Sequence, residues 1–221
     1  MKRFVGLLII MLGLSVPLAT AGTIVLNFTG LQNLEPIDNY YNGGFGGFGS
    51  GPGPNYGITF GSDSLAIISA ANGGSGNFSG APSDTIAFFL SGPGDIMDKP
   101  SGFTTGFSFF YSAINEPGSV SVYSGLDGTG TLLASLSLPV TPSQPGTGAC
   151  LPGYDFCPWI PIGVSFAGTA ESVDFSGTAN QIGFDNITLG ASTPSTVPEP
   201  VSLILFSSFL GMAGLARRWK S

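Results

Sequence analysis

The carboxylates are the side chains of this sequence best suited to acid–base chemistry. The chain has no histidine, which excludes Ser-His and Cys-His catalysis and metal sites built on histidine. Glycoside hydrolysis by carboxylates alone needs two carboxyl groups about 5–10 Å apart that face one cleft. Asp95 and Asp98 are close in the sequence, but the Gly-Pro segment beside Lys99 favours a solvated turn. We therefore expect no catalytic residues, with a carboxylate-based glycan hydrolase as an alternative.

All basic residues except Lys99 lie at the two ends of the chain. Residues 22–197 carry one lysine, Lys99, against twelve acidic residues, a formal charge of −11. A protein that neutralises a row of phosphates needs many lysines and arginines. Nucleic acid is therefore excluded as a partner.

Two cysteines, Cys150 and Cys157, enclose a six-residue loop. In an exported chain, which the N-terminus described below indicates, such a pair most often forms a disulfide. In the chain-entropy picture this bond contributes about 2–3 kcal/mol to stability. Free thiols or a metal-binding pair are the alternatives, and a catalytic cysteine is not expected without a histidine to activate it.

Aromatic residues in the loops are candidates for sugar binding, because an aromatic ring can stack on the apolar face of a pyranose. Aromatic side chains also bury well, so a place in the core is the alternative. The candidates are Tyr40, Tyr41, Phe45, Phe48 and Tyr56 in the first Gly-rich loop, and Tyr154 and Trp159 near the cysteines.

The elements that position these residues are short strands. Apolar residues alternate with small polar ones, and no stretch of residues 22–197 has a convincing helical period. The turns are rich in Gly and Pro, and Asp127-Gly128 suits a hairpin. We predict an all-β, two-sheet antiparallel β-sandwich, jelly-roll-like, as one ectodomain over residues 22–192. The predicted strands cover residues 24–29, 57–60, 65–70, 85–90, 103–111, 119–123, 132–138, 163–167, 172–176 and 181–189.

The last predicted strand changes the parity of its apolar residues. Ile182 and Phe184 point one way, and Ile187 and Leu189 follow with an odd spacing. One extra residue in a strand produces such a shift, so we predict a β-bulge at Asp185-Asn186.

The N-terminus has the three parts of a secretory signal peptide over residues 1–21. Lys2 and Arg3 precede an apolar run, and small residues follow. Ala19 and Ala21 stand at the first and third positions before the expected cut, where signal peptidase accepts small side chains. An uncleaved anchor is the alternative.

The C-terminus combines a proline-rich linker, an apolar segment and a basic tail. Pro198, Glu199 and Pro200 end the linker over residues 193–200. The uncharged residues 201–216 predict a single transmembrane helix of about 24 Å. A basic tail over residues 217–221 orients it toward the cytoplasm, through Arg217, Arg218 and Lys220.

This arrangement resembles the PEP-CTERM sorting signal, which has a Pro-Glu-Pro triplet, a transmembrane helix and an Arg-rich tail in that order. The resemblance implies recognition by an exosortase, removal of the helix, and a Gram-negative bacterium that makes exopolysaccharide. A permanent anchor with a chance triplet is the alternative.

The segment Phe184-Asp185-Asn186-Ile187 is similar to a late strand of jelly-roll carbohydrate-binding modules. There the matching Asp often joins an early acidic residue around a structural Ca²⁺. The similarity implies Asp185 as a calcium ligand, with Glu35 or Asp38 as its partner. The alternative is that Asp185 only satisfies the backbone of the bulge.

These features together predict an exported protein of the cell surface or extracellular matrix, anchored in the inner membrane until it is processed. Its expected partners are signal peptidase, an exosortase and an exopolysaccharide. The main hypothesis for the ectodomain is a non-catalytic structural or adhesive role. The alternatives are a calcium-assisted carbohydrate-binding module and the carboxylate-based hydrolase.

Overall fold

The computed structural model describes residues 22–196 of the chain. Across that range no helix is both long and apolar enough to cross a membrane. The predicted signal peptide (1–21), the Pro198-Glu199-Pro200 triplet, the transmembrane helix (201–216) and the basic tail (217–221) lie outside the described residues.

The described chain consists of short strands and one 3-10 turn at Ala70–Asn72. The strands are β1 (Ile24–Leu26), β2 (Glu35–Pro36), β3 (Thr59–Phe60), β4 (Ser64–Ile68), β5 (Thr85–Phe89), β6 (Gly94–Phe103), β7 (Gly106–Ala113), β8 (Gly118–Tyr123), β9 (Leu132–Leu138), β10 (Ile160–Ser165), β11 (Ala170–Gly177) and β12 (Ile182–Leu189).

The strands form two antiparallel sheets. The larger sheet has the order β10-β7-β12-β5-β4-β2, and β1 pairs with the C-terminal part of β12. The smaller sheet has the order β3-β6-β11-β8-β9. The prediction of an all-β, two-sheet antiparallel sandwich is confirmed.

Phenylalanines fill the space between the sheets. Alternation along each strand sends every second side chain inward, which brings Phe175 of β11 against Phe184 of β12 with ring centroids 4.9 Å apart. Phe109 of β7 contacts both rings edge-on, at 6.2 and 5.6 Å. Edge-to-face pairs contribute about 0.5–1.5 kcal/mol each beyond their buried area. This aromatic core fixes how the two sheets face each other.

The prediction for residues 94–111 is wrong in part. Residues 94–103 form the ten-residue strand β6, and the single strand predicted over residues 103–111 breaks after Phe103, before β7 begins at Gly106. The local Gly and Pro residues resemble a turn, but β6 pairs with both β3 and β11. Those pairings outweigh the local preference. The two-residue strand β2 was also not predicted.

The predicted bulge and hairpin are both confirmed. The register of β12 against β7 shifts between Asp185 and Thr188, and Asn186 has a φ of 45°. Asp127 and Gly128, with φ of 54° and 67°, connect β8 to β9. Gly, Asn and Asp adopt the left-handed backbone conformation most readily, which made the hairpin visible in the sequence, whereas the change of parity revealed the bulge.

Candidate functional site

The predicted disulfide is confirmed, and the loop that it closes docks on a second loop. Cys150 and Cys157 are bonded, with their Cα atoms 5.6 Å apart. The Asn77 side chain donates from Nδ2 to Asp155 Oδ2 at 2.9 Å, and its Oδ1 accepts from the Asp155 amide at 3.1 Å. The Phe156 amide donates to the Asn77 carbonyl at 3.1 Å. The two loops, about 80 residues apart in the chain, therefore form one layer.

That layer covers the face of the larger sheet that points away from the main core. Phe78, Ile86 and Trp159 form a second hydrophobic cluster there. Phe78 meets Trp159 edge-on at 5.8 Å, and the indole Nε1 donates to the Ser79 carbonyl at 3.1 Å. Gly183 makes room for Ile86 and the indole, since a Cβ at this position would lie 2.7 Å from Ile86 Cδ1 and 2.9 Å from the ring. The sheet is thus packed on both faces.

Beside this cluster lies a groove of about 230 Å³, open to solvent on one side. Its polar lining residues are Ser75, Asn77 and Asn180, and its rings are Phe78, Phe88 and Phe156; Ile67, Gly76, Ile86, Ile182 and Gly183 complete the lining. No ionisable side chain lines the groove, so its chemistry is binding rather than proton transfer. Apolar walls with a few fixed polar groups are typical of small-molecule sites.

Three of the seven candidate sugar-binding aromatic residues are buried, as the alternative of a place in the core requires. Tyr40, Tyr41 and Trp159 are only 8%, 2% and 8% exposed. The Tyr41 hydroxyl accepts a hydrogen bond from the Phe28 amide at 2.7 Å. Tyr56 is half-buried and stacks on Tyr41 at 6.2 Å. A sequence motif cannot tell a buried ring from an exposed one, because the neighbours that bury it come from distant strands.

The first Gly-rich loop exposes Phe45 and Phe48, at 55% and 59%. The buried carboxylate of Glu35 stabilises this loop by accepting hydrogen bonds from its backbone amides. Its Oε1 accepts from the amides of Phe48 and Ser50 at 2.9 and 3.0 Å, and its Oε2 accepts from the Gln32 amide at 2.6 Å. Burial by itself raises the pKa of Glu35, but these hydrogen bonds outweigh it, so the pKa lies below its ordinary value.

Asp185, the predicted calcium ligand, is fully buried at the bulge of β12. Its Oδ2 accepts from the Ser83 amide at 2.7 Å, and its Oδ1 accepts from the Asn186 amide at 2.6 Å. Burial raises the pKa of Asp185 to about 7; the hydrogen bonds oppose that rise, and the nearby charge of Asp84 adds to it.

The three residues of the predicted calcium site make separate contacts. Glu35 is engaged by loop amides, Asp185 by the amides of Ser83 and Asn186, and Asp38 is half-buried. Within the described range no three Cys, Asp or Glu side chains group closely enough to hold a metal ion. The alternative, that Asp185 satisfies the bulge backbone, accounts for its hydrogen bond with Asn186. Calcium binding stays a prediction.

Asp95 and Asp98 do not form the predicted turn. They lie three residues apart on β6, and side chains with that spacing point to opposite sides of a strand. Asp95 accepts from the Ser64 hydroxyl, whereas Asp98 accepts from the Asp127 amide at 2.9 Å. Burial raises the pKa of both carboxyls. This pair does not flank one cleft as a glycoside hydrolase requires.

A wider depression of about 470 Å³ lies along the smaller sheet. Asp95, Asp127 and Asp174 line it, but no aromatic ring does. Pro93 and Ile96 also line it, so it offers carboxylates and aliphatic side chains but no ring on which a sugar could stack.

Lys99 is buried, and its ammonium group is engaged. Nζ donates to the Tyr56 carbonyl at 2.7 Å and to the Ser101 hydroxyl at 2.8 Å. Burial lowers the pKa of Lys99. The lysine therefore acts as a buried hydrogen-bond donor in the strand framework.

No family model and no curated protein matches the chain. Among solved structures, a glycoside hydrolase family 43 arabinoxylan arabinofuranohydrolase from Bacillus subtilis is 20% identical with a TM-score of 0.36. The alignment covers 58% of this chain and 24% of that one, so the match spans about a quarter of the hydrolase.

Two other neighbours are matched over most of their length. The K2 cleaved adhesin domain of Lys-gingipain is 13% identical with a TM-score of 0.44, covering 77% of this chain and all of the domain (100%). A family 35 carbohydrate-binding module (CBM35) from Paenibacillus barcinonensis is 17% identical with a TM-score of 0.36, covering 62% and 94%. Similarities at these identities and TM-scores do not indicate what this chain binds.

Proposed function

We propose that the ectodomain is a non-catalytic carbohydrate-binding module whose ligand lies in the groove beside Phe156. The observation that carries the proposal is the lining of that groove. Phe156, which is half-buried, supplies apolar ring surface beside the buried rings of Phe78 and Phe88, while Asn77 and Asn180 supply amide donors and acceptors. A sugar ring has this same combination of an apolar face and a rim of hydroxyl groups.

The groove is held in shape before any ligand arrives. The disulfide closes one wall, and the Asn77–Asp155 hydrogen bonds fasten that wall to the other loop. Binding to a preorganised site avoids the entropy cost of ordering loops. Affinity for a weakly interacting ligand such as a glycan benefits most from that saving.

Alanine substitution of Phe156 tests this proposal. Phe156 is half-buried, and loss of one stacking ring is expected to weaken glycan binding about three- to tenfold. Phe45→Ala is the matched control, since it removes an exposed ring from the first Gly-rich loop instead. Isothermal titration on glycans that score on an array measures both variants, and thermal melts check that each is folded.

Three outcomes are informative. Weaker binding by Phe156→Ala alone supports the groove. Weaker binding by Phe45→Ala alone moves the site to the first Gly-rich loop. If the folded ectodomain binds no glycan on the array, the carbohydrate proposal is wrong, and the structural or adhesive role is the better hypothesis.

We propose further that the protein reaches the cell surface by the route that its two ends predict. Cleavage after Ala21 and recognition of Pro198-Glu199-Pro200 by an exosortase would release the module into the matrix, where an exopolysaccharide is available. Replacing the triplet by alanines is expected to retain the full-length protein in the inner membrane. Normal release of that variant, measured by intact mass in the medium, would contradict the sorting proposal.

A further inference from the structure

The groove has a neutral lining and a carboxylate at its edge. None of the lining residues is ionisable. The exposed carboxylate of Asp155 lies at its edge, where it accepts a hydrogen bond from the lining residue Asn77 at 2.9 Å. A ligand that enters the groove therefore meets neutral side chains and a rim with negative charge.

No basic side chain of residues 22–196 is free to pair with an anionic ligand. Lys99 is the only basic residue between residues 22 and 196. It is 8% exposed, and its ammonium donates to Tyr56 and Ser101. The same range contains twelve acidic residues and no other lysine or arginine.

We infer that the groove binds neutral glycans and discriminates against glycans that carry carboxylate or sulfate groups. The inference rests on the proposed function and specifies its ligand class. A carboxylate placed in the groove loses hydration and gains no cationic partner. It is also repelled by the Asp155 carboxylate and by the net charge of the ectodomain, an effect strongest at low ionic strength.

A set of matched polysaccharides tests the inference: neutral glucans, xylans, mannans and galactans, each with its carboxymethylated derivative. The ectodomain is titrated with each pair in 20 mM and in 500 mM salt. We expect the neutral member of a bound pair to bind at least about tenfold more tightly in low salt. The affinity for the neutral member should change by less than about twofold between the two salt concentrations. Any affinity for the charged member should be higher in 500 mM salt than in 20 mM salt, because salt screens the repulsion.

Three variants locate the cause of the discrimination. Asp155→Asn keeps a side-chain oxygen toward Asn77 but removes the charge at the rim, and should raise the charged-to-neutral affinity ratio about threefold or more at low salt. Asp127→Asn makes the same change of net charge on the other sheet and should leave that ratio unchanged. Ser75→Lys places an ammonium at the groove, and should raise the ratio at least tenfold.

The outcomes separate this inference from the function on which it rests. Equal or tighter binding of the carboxymethylated member overturns the neutral-glycan inference and leaves the carbohydrate-binding function standing. An equal response to Asp155→Asn and Asp127→Asn overturns the assignment of the discrimination to the groove. If no member of any pair binds, both the function and the inference are wrong.

Discussion

The buried carboxyl of Asp185 should make the stability of this protein depend on pH in an unusual direction. Its pKa is raised from 3.8 in the ordinary case to about 7 in the fold. Between these values the folded protein holds a proton that the unfolded chain has lost. The free energy of unfolding therefore falls as the pH rises across this window, and levels off above about pH 7.

The size of the effect follows from the width of the window. About three pH units separate the two pKa values, which corresponds to a loss of about 4 kcal/mol between pH 4 and pH 8. Asp185→Asn removes the titration while keeping the shape. The variant loses one acceptor for a backbone amide and should be less stable than the wild type at pH 4. By pH 8 the difference should shrink or reverse.

Urea unfolding of the wild type and Asp185→Asn at half-unit steps from pH 4 to pH 8 measures this effect. Burial also raises the pKa of Asp95 and Asp98. The wild type and Asp185→Asn share those groups, so the difference between their stability-versus-pH curves isolates Asp185. A constant difference across the whole range would falsify the reasoning, because it would mean that Asp185 ionises at the same pH in both states.

The same experiment tests the predicted calcium site. The curves are measured once in EDTA and once in millimolar Ca²⁺. A cation bound to Asp185 favours the ionised carboxylate and stabilises only the folded state. Calcium would then stabilise the wild type near pH 8 but not Asp185→Asn. No response in either protein would remove Asp185 as a calcium ligand.

Three further changes test other parts of the structure. Glu35→Ala should lower the free energy of unfolding by about 3–5 kcal/mol, because three backbone amides lose a charged acceptor. Amide hydrogen exchange should accelerate in the first Gly-rich loop. Unchanged exchange there would contradict the role assigned to Glu35. Since the pKa of Glu35 is lowered, its contribution to stability is present above about pH 4.5 and should disappear as the pH falls below that value. Replacing Cys150 and Cys157 by serine should lower the free energy of unfolding by about 2–3 kcal/mol and weaken glycan binding; full affinity in the folded double variant would show that the disulfide does not shape the groove. Gly183→Ala should lower the free energy of unfolding by about 1–2 kcal/mol, because the new methyl crowds both the Ile86 side chain and the indole of Trp159. Near-ultraviolet circular dichroism should report the shifted indole.

The sequence by itself determined those features that depend on neighbouring residues along the chain. Alternating side chains predicted most of the strands, and the altered parity near Asp185 predicted the bulge. Asp127-Gly128 predicted its hairpin, and the pair Cys150 and Cys157 in a chain with an export signal predicted the disulfide. The absence of histidine and the scarcity of basic residues excluded whole classes of chemistry. All of these are local or compositional properties, which need no knowledge of distant contacts.

Only the tertiary structure decided which side chains reach solvent and which loops meet. Residues 94–103 look like a turn locally, and become a strand because two partner strands provide hydrogen bonds on either side. Tyr41 and Trp159 have the residue types of a sugar platform, but distant elements bury them. The groove exists because the loops around Asn77 and Phe156 pack together on one sheet. Such contacts join residues far apart in the chain, and no local pattern encodes them.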